Sequence, residues 1–519
     1  MKNAIVMMFD SLQFNYLGCY GNTWIKTPNM DRLAREGVLF ENCYIEGLPT
    51  IPCRRAMHTG RYTMPDSGWR SLRMEDTTIA DLCWGRPIDT ALVFDCPNYR
   101  LPKFGYTRGF DKVWFTHGHE ADDFFFEEEP LLHAKAEDYI DEKSDAAFRK
   151  IVGDTPADAQ LFEMSNFLRN SQNWKSPDDR FVAKTIHKAI EYLEQVDRNK
   201  QFYLWIDSFD PHEPWNGPSV YMNFPCPYDP DYKGKDEFMP FVGLVEGIYT
   251  EEQLNHVRML YAELVTLCDT YLGQLMDAIR RLGFEENTML FMVSDHGEPM
   301  GNGKDGHGLM RKVRPWPYEE LVHAPMILRA PGIKAGQRIT AFVQSVDVAP
   351  TVCDWLGIGV HPAMQGKSLL PLIRGEIEKV RDFAIAGYYK YSWSIITEEW
   401  SYIHWLANQN DDNMAQNFYA VETNQNILAM GGEIKMPGQP RQKPGEKSEL
   451  QERHDAAMSL DGEEQWTCSP GSVAEVPLED ELYDRRNDPF QLVNLIDQHP
   501  DVAKKLLFKL TDFMDDLRA

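Results

Sequence analysis

The most informative stretch of this 519-residue sequence is LPTIPCRRAMHTGR, residues 48–61. Prolines at positions 49 and 52 predict a constrained turn, and a helix is predicted to begin near Arg54. The hydroxyl of Thr50 would then lie at a helix N-terminus, where developing negative charge is favoured. A threonine between prolines is ordinarily a turn residue, so the other motifs decide whether Thr50 is a candidate nucleophile.

Further short motifs follow one another along most of the chain. Many place Asp, His, Gly or Pro at the end of an apolar run. They are AIVMMFD (4–10), LGCYG (17–21), TPNMDRL (27–33), GVLF (37–40), DPHEP (210–214), VSDHGE (293–298), GHGL (306–309), APMILRAPG (324–332), DVAPT (347–351), QGKSL (365–369) and ELYD (481–484). Together with residues 48–61, and in this order, they resemble the sulfatase family of the alkaline phosphatase superfamily.

The resemblance implies that residue 50 is the catalytic nucleophile. The family signature reads Cys or Ser, any residue, Pro, Ser and Arg, then four residues and Thr-Gly, so Pro52, Arg54 and Thr59-Gly60 align Thr50 with the catalytic position. In the family this Cys or Ser is oxidised to formylglycine, whose hydrated aldehyde attacks sulfur and then expels sulfate by returning to the aldehyde. Threonine lacks that exit, but with its pKa lowered by a metal it can attack phosphate or phosphonate esters.

A metal site is also implied by the resemblance. The family ligands correspond to Asp10, Asp295 and His296, with Thr50 as the metal-facing nucleophile. Common sulfatases have a second Asp where Ser11 stands and often an Asn where His296 stands. Fewer carboxylates and an imidazole favour manganese or zinc over calcium. We therefore expect one divalent ion, Mn²⁺ or Zn²⁺.

Other residues match family positions around the substrate. Arg54 corresponds to the residue that orients the nucleophile loop, and His212 and Lys312 to residues that contact the leaving-group oxygen and the peripheral oxygens of the anion. His212 is the expected general acid, because the pKa of histidine lies near neutrality. His307 and Asn98 are weaker candidates for substrate binding.

One family segment is missing. Sulfatases usually carry Gly-Lys-Trp-His after the third strand, where the Lys and His grip the sulfate. The corresponding sequence here is VFDCPNY, residues 93–99, which contains neither the Lys nor the His. This loss favours phosphate or phosphonate esters independently of Thr50. The spacing leaves open whether Asp95, Asn98, His117 or His119 contacts the substrate.

The pattern of elements predicts an α/β fold with a doubly wound, mostly parallel sheet. The apolar runs of buried parallel strands are 4–9, 90–94, 202–206, 288–293 and 325–328, and helical spacing appears at 179–196, 254–282 and 500–517. Ligands bind beyond the carboxyl ends of such strands. Because Asp10, Asp207 and Asp295 each follow an apolar run, we expect them to meet at one edge of the sheet.

Two domains are predicted. Residues 1–380 form the catalytic α/β domain, and residues 381–519 a smaller α+β subdomain with antiparallel Trp- and Tyr-rich strands. Within the second, residues 421–480 are polar and lack periodicity, which indicates an extended loop or arm.

Composition limits the partners. A formal net charge of −27 argues against binding to nucleic acid or anionic membranes. A small anionic ester must therefore meet a local positive site built from a metal, Arg and Lys. Nine cysteines without paired spacing, no apolar run of membrane-spanning length and no visible targeting segment predict a cytoplasmic protein. Homo-oligomer formation is left open.

These observations predict a metal-dependent hydrolase of phosphate or phosphonate esters, including diesters, that uses Thr50 as its nucleophile. One alternative is a sulfuric ester hydrolase that works without formylglycine. Another is a catalytically silent homologue that keeps the metal site. Retention of Asp10, Asp295, His296 and Lys312 together speaks against the silent homologue.

Overall fold

The structure is a computed structural model that describes residues 1–65, 67–69, 71–99, 104–119, 122, 134–152, 154–301, 306–312, 316–389, 391–406 and 479–518. Of the arm predicted at 421–480, only residues 479 and 480 fall within these ranges. The rest of that prediction lies outside the described residues.

Strands and helices alternate along the first three quarters of the chain. The strands are β1 (Asn3–Phe9), β2 (Val38–Tyr44), β3 (Ile88–Phe94), β4 (Lys112–Phe115), β5 (Gln201–Ser208), β6 (Gly243–Leu244), β7 (Thr288–Ser294), β8 (Leu309–Met310), β9 (Met326–Arg329), β10 (Gln337–Gln344), β11 (Ala384–Tyr388), β12 (Ser392–Ile396), β13 (Trp400–Trp405) and β14 (Glu481–Asp484). The α-helices are α1 (Pro28–Glu36), α2 (Thr50–Thr59), α3 (Ile79–Cys83), α4 (Glu142–Val152), α5 (Asp154–Ser171), α6 (Phe181–Gln195), α7 (Pro218–Tyr221), α8 (Glu251–Arg281), α9 (Glu319–Val322), α10 (Val348–Leu356), α11 (Leu370–Ile373) and α12 (Pro500–Arg518). The helices predicted at 179–196, 254–282 and 500–517 are α6, α8 and α12.

A large sheet forms the centre of the catalytic region. Within the described ranges it has eight strands in the order β10-β2-β9-β7-β1-β5-β3-β4. The block β7-β1-β5-β3-β4 is parallel throughout. The predicted parallel sheet is therefore confirmed for four of the five apolar runs, namely those that became β1, β3, β5 and β7.

The fifth run, β9, was wrongly expected to be parallel, because it pairs antiparallel with both β2 and β7. A parallel strand would require the chain to cross back to the opposite edge of the sheet, usually through a long helix. Between the end of β7 and the start of β9, the described residues contain only the two-residue strand β8 and the four-residue helix α9, and no long crossover helix. The chain therefore enters β9 at the carboxyl edge of the sheet, and β9 runs in the direction opposite to β7 and β2.

Both faces of the sheet are covered. Alternate residues of β1 point to opposite sides: Ile5 and Met7 belong to a core shared with α6 and α8, whereas Val6 and Met8 belong to a core shared with α2, α3 and α10. Burial on both faces is why the strands are continuous apolar runs rather than alternating ones. The arrangement confirms the predicted doubly wound α/β class.

The C-terminal part forms a second, antiparallel sheet in the order β11-β12-β13-β14. Helix α12 packs on this sheet through apolar side chains such as Leu510 and Met514, which contact the core around Ile395 and Tyr402. This confirms the smaller α+β subdomain, while the predicted domain boundary at 380/381 stays a prediction. In the part of the chain that the structure describes, no helix is long and apolar enough to cross a membrane.

Candidate active site

Helix α2 positions the candidate nucleophile. Thr50 is its first residue and Pro49 its N-cap, so the helix begins four residues earlier than the sequence predicted. The prediction treated Pro52 as lying before the helix. Pro52 instead lies in the first turn, where a backbone N–H has no acceptor within the helix and proline costs little. Thr50 is buried at this N-terminus, and its side chain faces the site.

Three buried carboxylates meet at the carboxyl edge of the sheet, as expected. Asp10 follows β1, Asp295 follows β7 and Asp207 lies near the end of β5, and the parallel register aligns these ends. The guanidinium of Arg54 joins them. Its Nη1 donates to Asp10 Oδ2 at 2.9 Å and to Asp295 Oδ2, while Nη2 and Nε donate to Asp207 at 2.8 and 3.2 Å.

These contacts limit the capacity of Arg54 to bind a substrate. Four of its five N–H groups are directed at carboxylates, so it has little capacity left for a substrate anion. Burial and the neighbouring Asp295 raise the pKa of Asp10 to about 6, although Arg54 opposes both effects. Arg54 therefore acts by compensating the buried carboxylates and fixing their orientation.

Asp10, Asp295 and His296 form a group that fits a divalent cation, since one ligand atom from each lies within 4.8 Å of the others. The Nδ1 of His296 lies 2.7 Å from the carbonyl oxygen of Gly297 and must donate to it, which leaves the lone pair of Nε2 facing the group. This Nε2 is 3.5 Å from Asp295 Oδ2 and 3.4 Å from Thr50 Oγ1. Burial lowers the pKa of His296 to about 4, so the imidazole is neutral and able to ligate.

Ser11 stands where common sulfatases have a further aspartate. Its backbone N–H donates to Asp295 Oδ1 at 3.0 Å and its hydroxyl donates to Asp10 Oδ1 at 2.9 Å. The backbone has φ 59°, a left-handed conformation that is uncommon outside glycine. Ser11 thus orients two of the three candidate ligands, a role that hydrogen-bonding neighbours commonly have at metal sites.

A second group of ionisable residues surrounds Lys312. Its Nζ lies 2.5 Å from His212 Nε2, and the Nδ1 of the same imidazole lies 2.6 Å from the carbonyl oxygen of Glu213. His212 therefore donates through Nδ1 and accepts through Nε2. Burial holds the pKa of His212 well below its usual value, whereas Glu213 and Glu298 raise the pKa of Lys312 against the effect of burial. Lys312, not His212, carries the available proton in this arrangement.

Some charged residues at the site were not assigned roles from the sequence. Glu213 and Arg311 form a buried ion pair, and Glu298 is fully buried, with Lys312 Nζ 3.9 Å from its Oε2. Among the described residues, neither oxygen of Glu298 has a hydrogen-bond partner. Burial raises the pKa of Glu298 to about 8. Glu213 lies inside the motif DPHEP and Glu298 inside VSDHGE, so these two motifs are the sequence feature from which both glutamates could have been found.

His307 and Asn98 keep their status as predictions. His307 Nε2 donates to the carbonyl oxygen of Gln491 at 2.8 Å, and the ring stacks on Tyr318 with 3.4 Å between centroids. These contacts tie His307 to the C-terminal segment. Asn98 lies in the short 3₁₀ turn Pro97–Tyr99 and is half-buried.

The other open candidates lie in polar contacts of their own. Asp95 is buried and accepts from the Thr185 hydroxyl at 3.0 Å and from the backbone of Phe209. His119 Nε2 lies 3.3 Å from Asp210, and His117 Nδ1 lies 3.0 Å from Asp122. Asp95 and His119 are therefore buried residues that contact Phe209 and Asp210, just before His212 in the chain.

Comparison with known proteins identifies the family. The family model described as Sulfatase matches residues 2–358, and one described as N-sulphoglucosamine sulphohydrolase, C-terminal, matches residues 306–428. The first match covers more than half of the chain. The protein therefore belongs to the sulfatase family.

Individual relatives are distant. Arylsulfatase K of Mus musculus is 25% identical over 400 residues, which cover 72% of this chain and 64% of that protein, so the chain spans less than two thirds of its length. An arylsulfatase of Clostridium perfringens is 25% identical over 406 residues, covering 73% of this chain and 80% of that protein. The crystal structure of a phosphonate monoester hydrolase of Agrobacterium radiobacter has a TM-score of 0.65 at 18% identity and covers 100% of this chain and 96% of its own. At that identity the likeness establishes the fold.

Proposed function

We propose that this protein hydrolyses phosphate or phosphonate esters, including diesters, with Thr50 as the nucleophile and one divalent metal ion as cofactor. The observation that carries the proposal is the position of the Thr50 hydroxyl, at the start of α2 and 3.4 Å from Nε2 of His296. A divalent cation at Asp10, Asp295 and His296 would lower the pKa of that hydroxyl and neutralise charge on the ester oxygen. The chemistry of the donor set favours Mn²⁺ or Zn²⁺ over Ca²⁺.

The chain's own residues then account for the reaction. Thr50 Oγ1, deprotonated in the loaded site, attacks phosphorus, and the bond between phosphorus and the leaving oxygen breaks. Lys312 gives its proton to that oxygen, with His212 Nε2 holding the ammonium group in place at 2.5 Å. Water then attacks the phosphothreonine, which frees Thr50, and a proton from this water restores Lys312.

The charges of the site favour substrates with a single negative charge. Arg54 and Arg311 are bound to buried carboxylates, so among the residues that the structure describes Lys312 is the principal cation left for the substrate. Among the described residues, these three cations face the carboxylates of Asp10, Asp207, Asp295 and Glu213, whereas Glu298, whose pKa burial raises to about 8, adds little negative charge near neutral pH. Even with a divalent ion added, the site offers too little positive charge for a dianionic phosphate monoester. Phosphodiesters and phosphonate monoesters are monoanions and suit it better.

A sulfuric ester hydrolase is the second candidate. Both curated relatives described above are named arylsulfatases, and sulfate monoesters are also monoanions. Thr50 weighs against this function, because a sulfated threonine has no aldehyde through which to expel sulfate. A silent homologue is disfavoured, because Asp10, Asp295 and His296 still converge on one point next to the nucleophile.

A panel of esters tests the substrate assignment. We expect the metal-loaded protein to hydrolyse 4-nitrophenyl phosphodiesters and phosphonates with higher kcat/KM than the matching aryl sulfate and phosphate monoester. The shared leaving group confines the comparison to the transferred group, and Thr50→Ala protein prepared in parallel controls for contaminating hydrolases. A higher kcat/KM for the sulfate would reverse the assignment, and no turnover of any ester would favour the silent homologue.

The protein is also expected to carry no formylglycine. The modification motif is Cys-x-Pro-x-Arg, but starting from Cys53 it would meet Arg55 in place of Pro and Met57 in place of Arg. The thiol of Cys53 is also fully buried, and burial raises its pKa. Peptide mass spectrometry across residues 50–54 should show the unmodified mass. An aldehyde at Cys53 would restore the formylglycine-dependent sulfatase function.

A further inference from the structure

We propose that Glu213 is a positioning residue that holds Lys312 and His212 in the geometry needed to protonate the leaving group. This inference rests on the proposed function, since it concerns the acid of the same reaction. Nothing in the sequence motifs assigns a role to this glutamate. The geometry places it at the centre of three basic side chains, those of His212, Arg311 and Lys312.

Glu213 contacts all three of these groups. Each of its carboxylate oxygens lies 3.3 Å from Lys312 Nζ, and Oε1 also accepts from Nε and Nη2 of Arg311. Its backbone carbonyl accepts from His212 Nδ1 at 2.6 Å, which fixes the tautomer. The side chain of Glu213 is only 1% exposed, so water does not screen these interactions.

The backbone near Lys312 supports the same role. Arg311 and Lys312 are consecutive, and consecutive side chains of an extended chain point in opposite directions. Here both turn to one carboxylate, and Arg311 has φ 64°, a left-handed conformation that costs free energy for a residue with a side chain. Such a conformation persists only where surrounding contacts compensate for it, and the carboxylate of Glu213 supplies them.

Without Glu213, two buried cations and an imidazole would face one another with no central negative charge. Lys312 would then lose its largest favourable electrostatic interaction, because Glu213 is the main group that raises its pKa against burial. His212 would lose nothing of its backbone contact in a glutamine variant, since that contact is to the carbonyl oxygen. A change from Glu to Gln therefore isolates the effect on Lys312.

The test is the dependence of the rate on the leaving group. Glu213→Gln should reduce kcat about a hundredfold for a phosphodiester or phosphonate with an alkoxide leaving group, which needs an acid, and only a few-fold for 4-nitrophenolate, which does not. KM should change little. Glu213→Asp keeps the carboxylate and should recover part of the loss. Lys312→Ala should show the same dependence, and Glu213→Gln should add little to it.

Glu263→Gln is the matched control. Glu263 is also a buried glutamate, and it accepts from the backbone and hydroxyl of Ser219 in a separate contact. Any loss in that variant should be equal for all leaving groups, and metal content per chain checks that each variant remains folded. An equal loss for all leaving groups in both Glu213 variants would overturn the inference. Failure of the wild type on every phosphorus ester would instead refute the proposed function, and aryl and alkyl sulfates would then provide the same comparison.

Discussion

Replacing Thr50 with alanine is expected to reduce turnover at least about a thousandfold, or roughly 4 kcal/mol at 1.36 kcal/mol per decade. The reason is that, in the proposed mechanism, Thr50 supplies the oxygen that forms the covalent intermediate. Metal should remain largely bound, because Asp10, Asp295 and His296 are unchanged. Single-turnover kinetics together with metal content per chain measures both effects on the same sample.

Thr50→Ser is the matched variant. It keeps the hydroxyl at the start of α2 and removes a methyl group, so a substantial part of the activity should survive. A phosphorylated peptide spanning residue 50, trapped by acid quenching, would identify the nucleophile directly in both the wild type and the serine variant. A turnover rate in Thr50→Ala equal to that of the wild type would refute the mechanism in which Thr50 is the nucleophile.

The sequence predicted the centre of the fold and the positions of the carboxylates well, for a physical reason. Strands buried on both faces must be apolar throughout, so β1 and β7 were recognisable, and an aspartate directly after such a strand must lie at the carboxyl edge. Asp10 and Asp295 lie there as expected. Asp207 was also expected at this edge, and the structure adds its binding to Arg54.

What the sequence could not predict depends on contacts between distant residues. The start of α2 required knowing that Pro52 lies in the first turn. The direction of β9 depended on the path of the connection before it rather than on its own residues. The ordinary pKa of histidine suggested that His212 could carry a proton and act as the acid. Burial instead holds its pKa low. Lys312, a hundred residues later in the chain, donates a hydrogen bond to it.

The charge of the site gives the metal a larger role than the sequence suggested. An acidic chain was expected to need a local positive site made from a metal, Arg and Lys. In the structure Arg54 and Arg311 are neutralised by carboxylates, so they add no attraction for an anion. Under the proposed function, and among the described residues, binding of a substrate anion depends on Lys312 together with the metal ion, so affinity for the anion should fall sharply when the metal is removed.

His296→Ala is accordingly expected to lose metal and activity together. The imidazole contributes the neutral Nε2 of the group, and the two carboxylates that remain already share the guanidinium of Arg54. About one tightly held Mn²⁺ or Zn²⁺ per wild-type chain should fall to substoichiometric metal in the variant, as measured by elemental analysis and by titration of the apoprotein.

His58→Ala provides the matched control for this loss. His58 is likewise a buried histidine, whose pKa burial lowers to about 3, but its Nε2 lies 2.9 Å from the Tyr99 hydroxyl rather than in the metal group. Its removal creates a comparable cavity and should leave metal stoichiometry near that of the wild type. Because both variants lose a buried imidazole, only a direct role in metal binding distinguishes them. Full metal content and activity in His296→Ala would remove this residue from the proposed site and leave only Asp10 and Asp295 of the three-residue group.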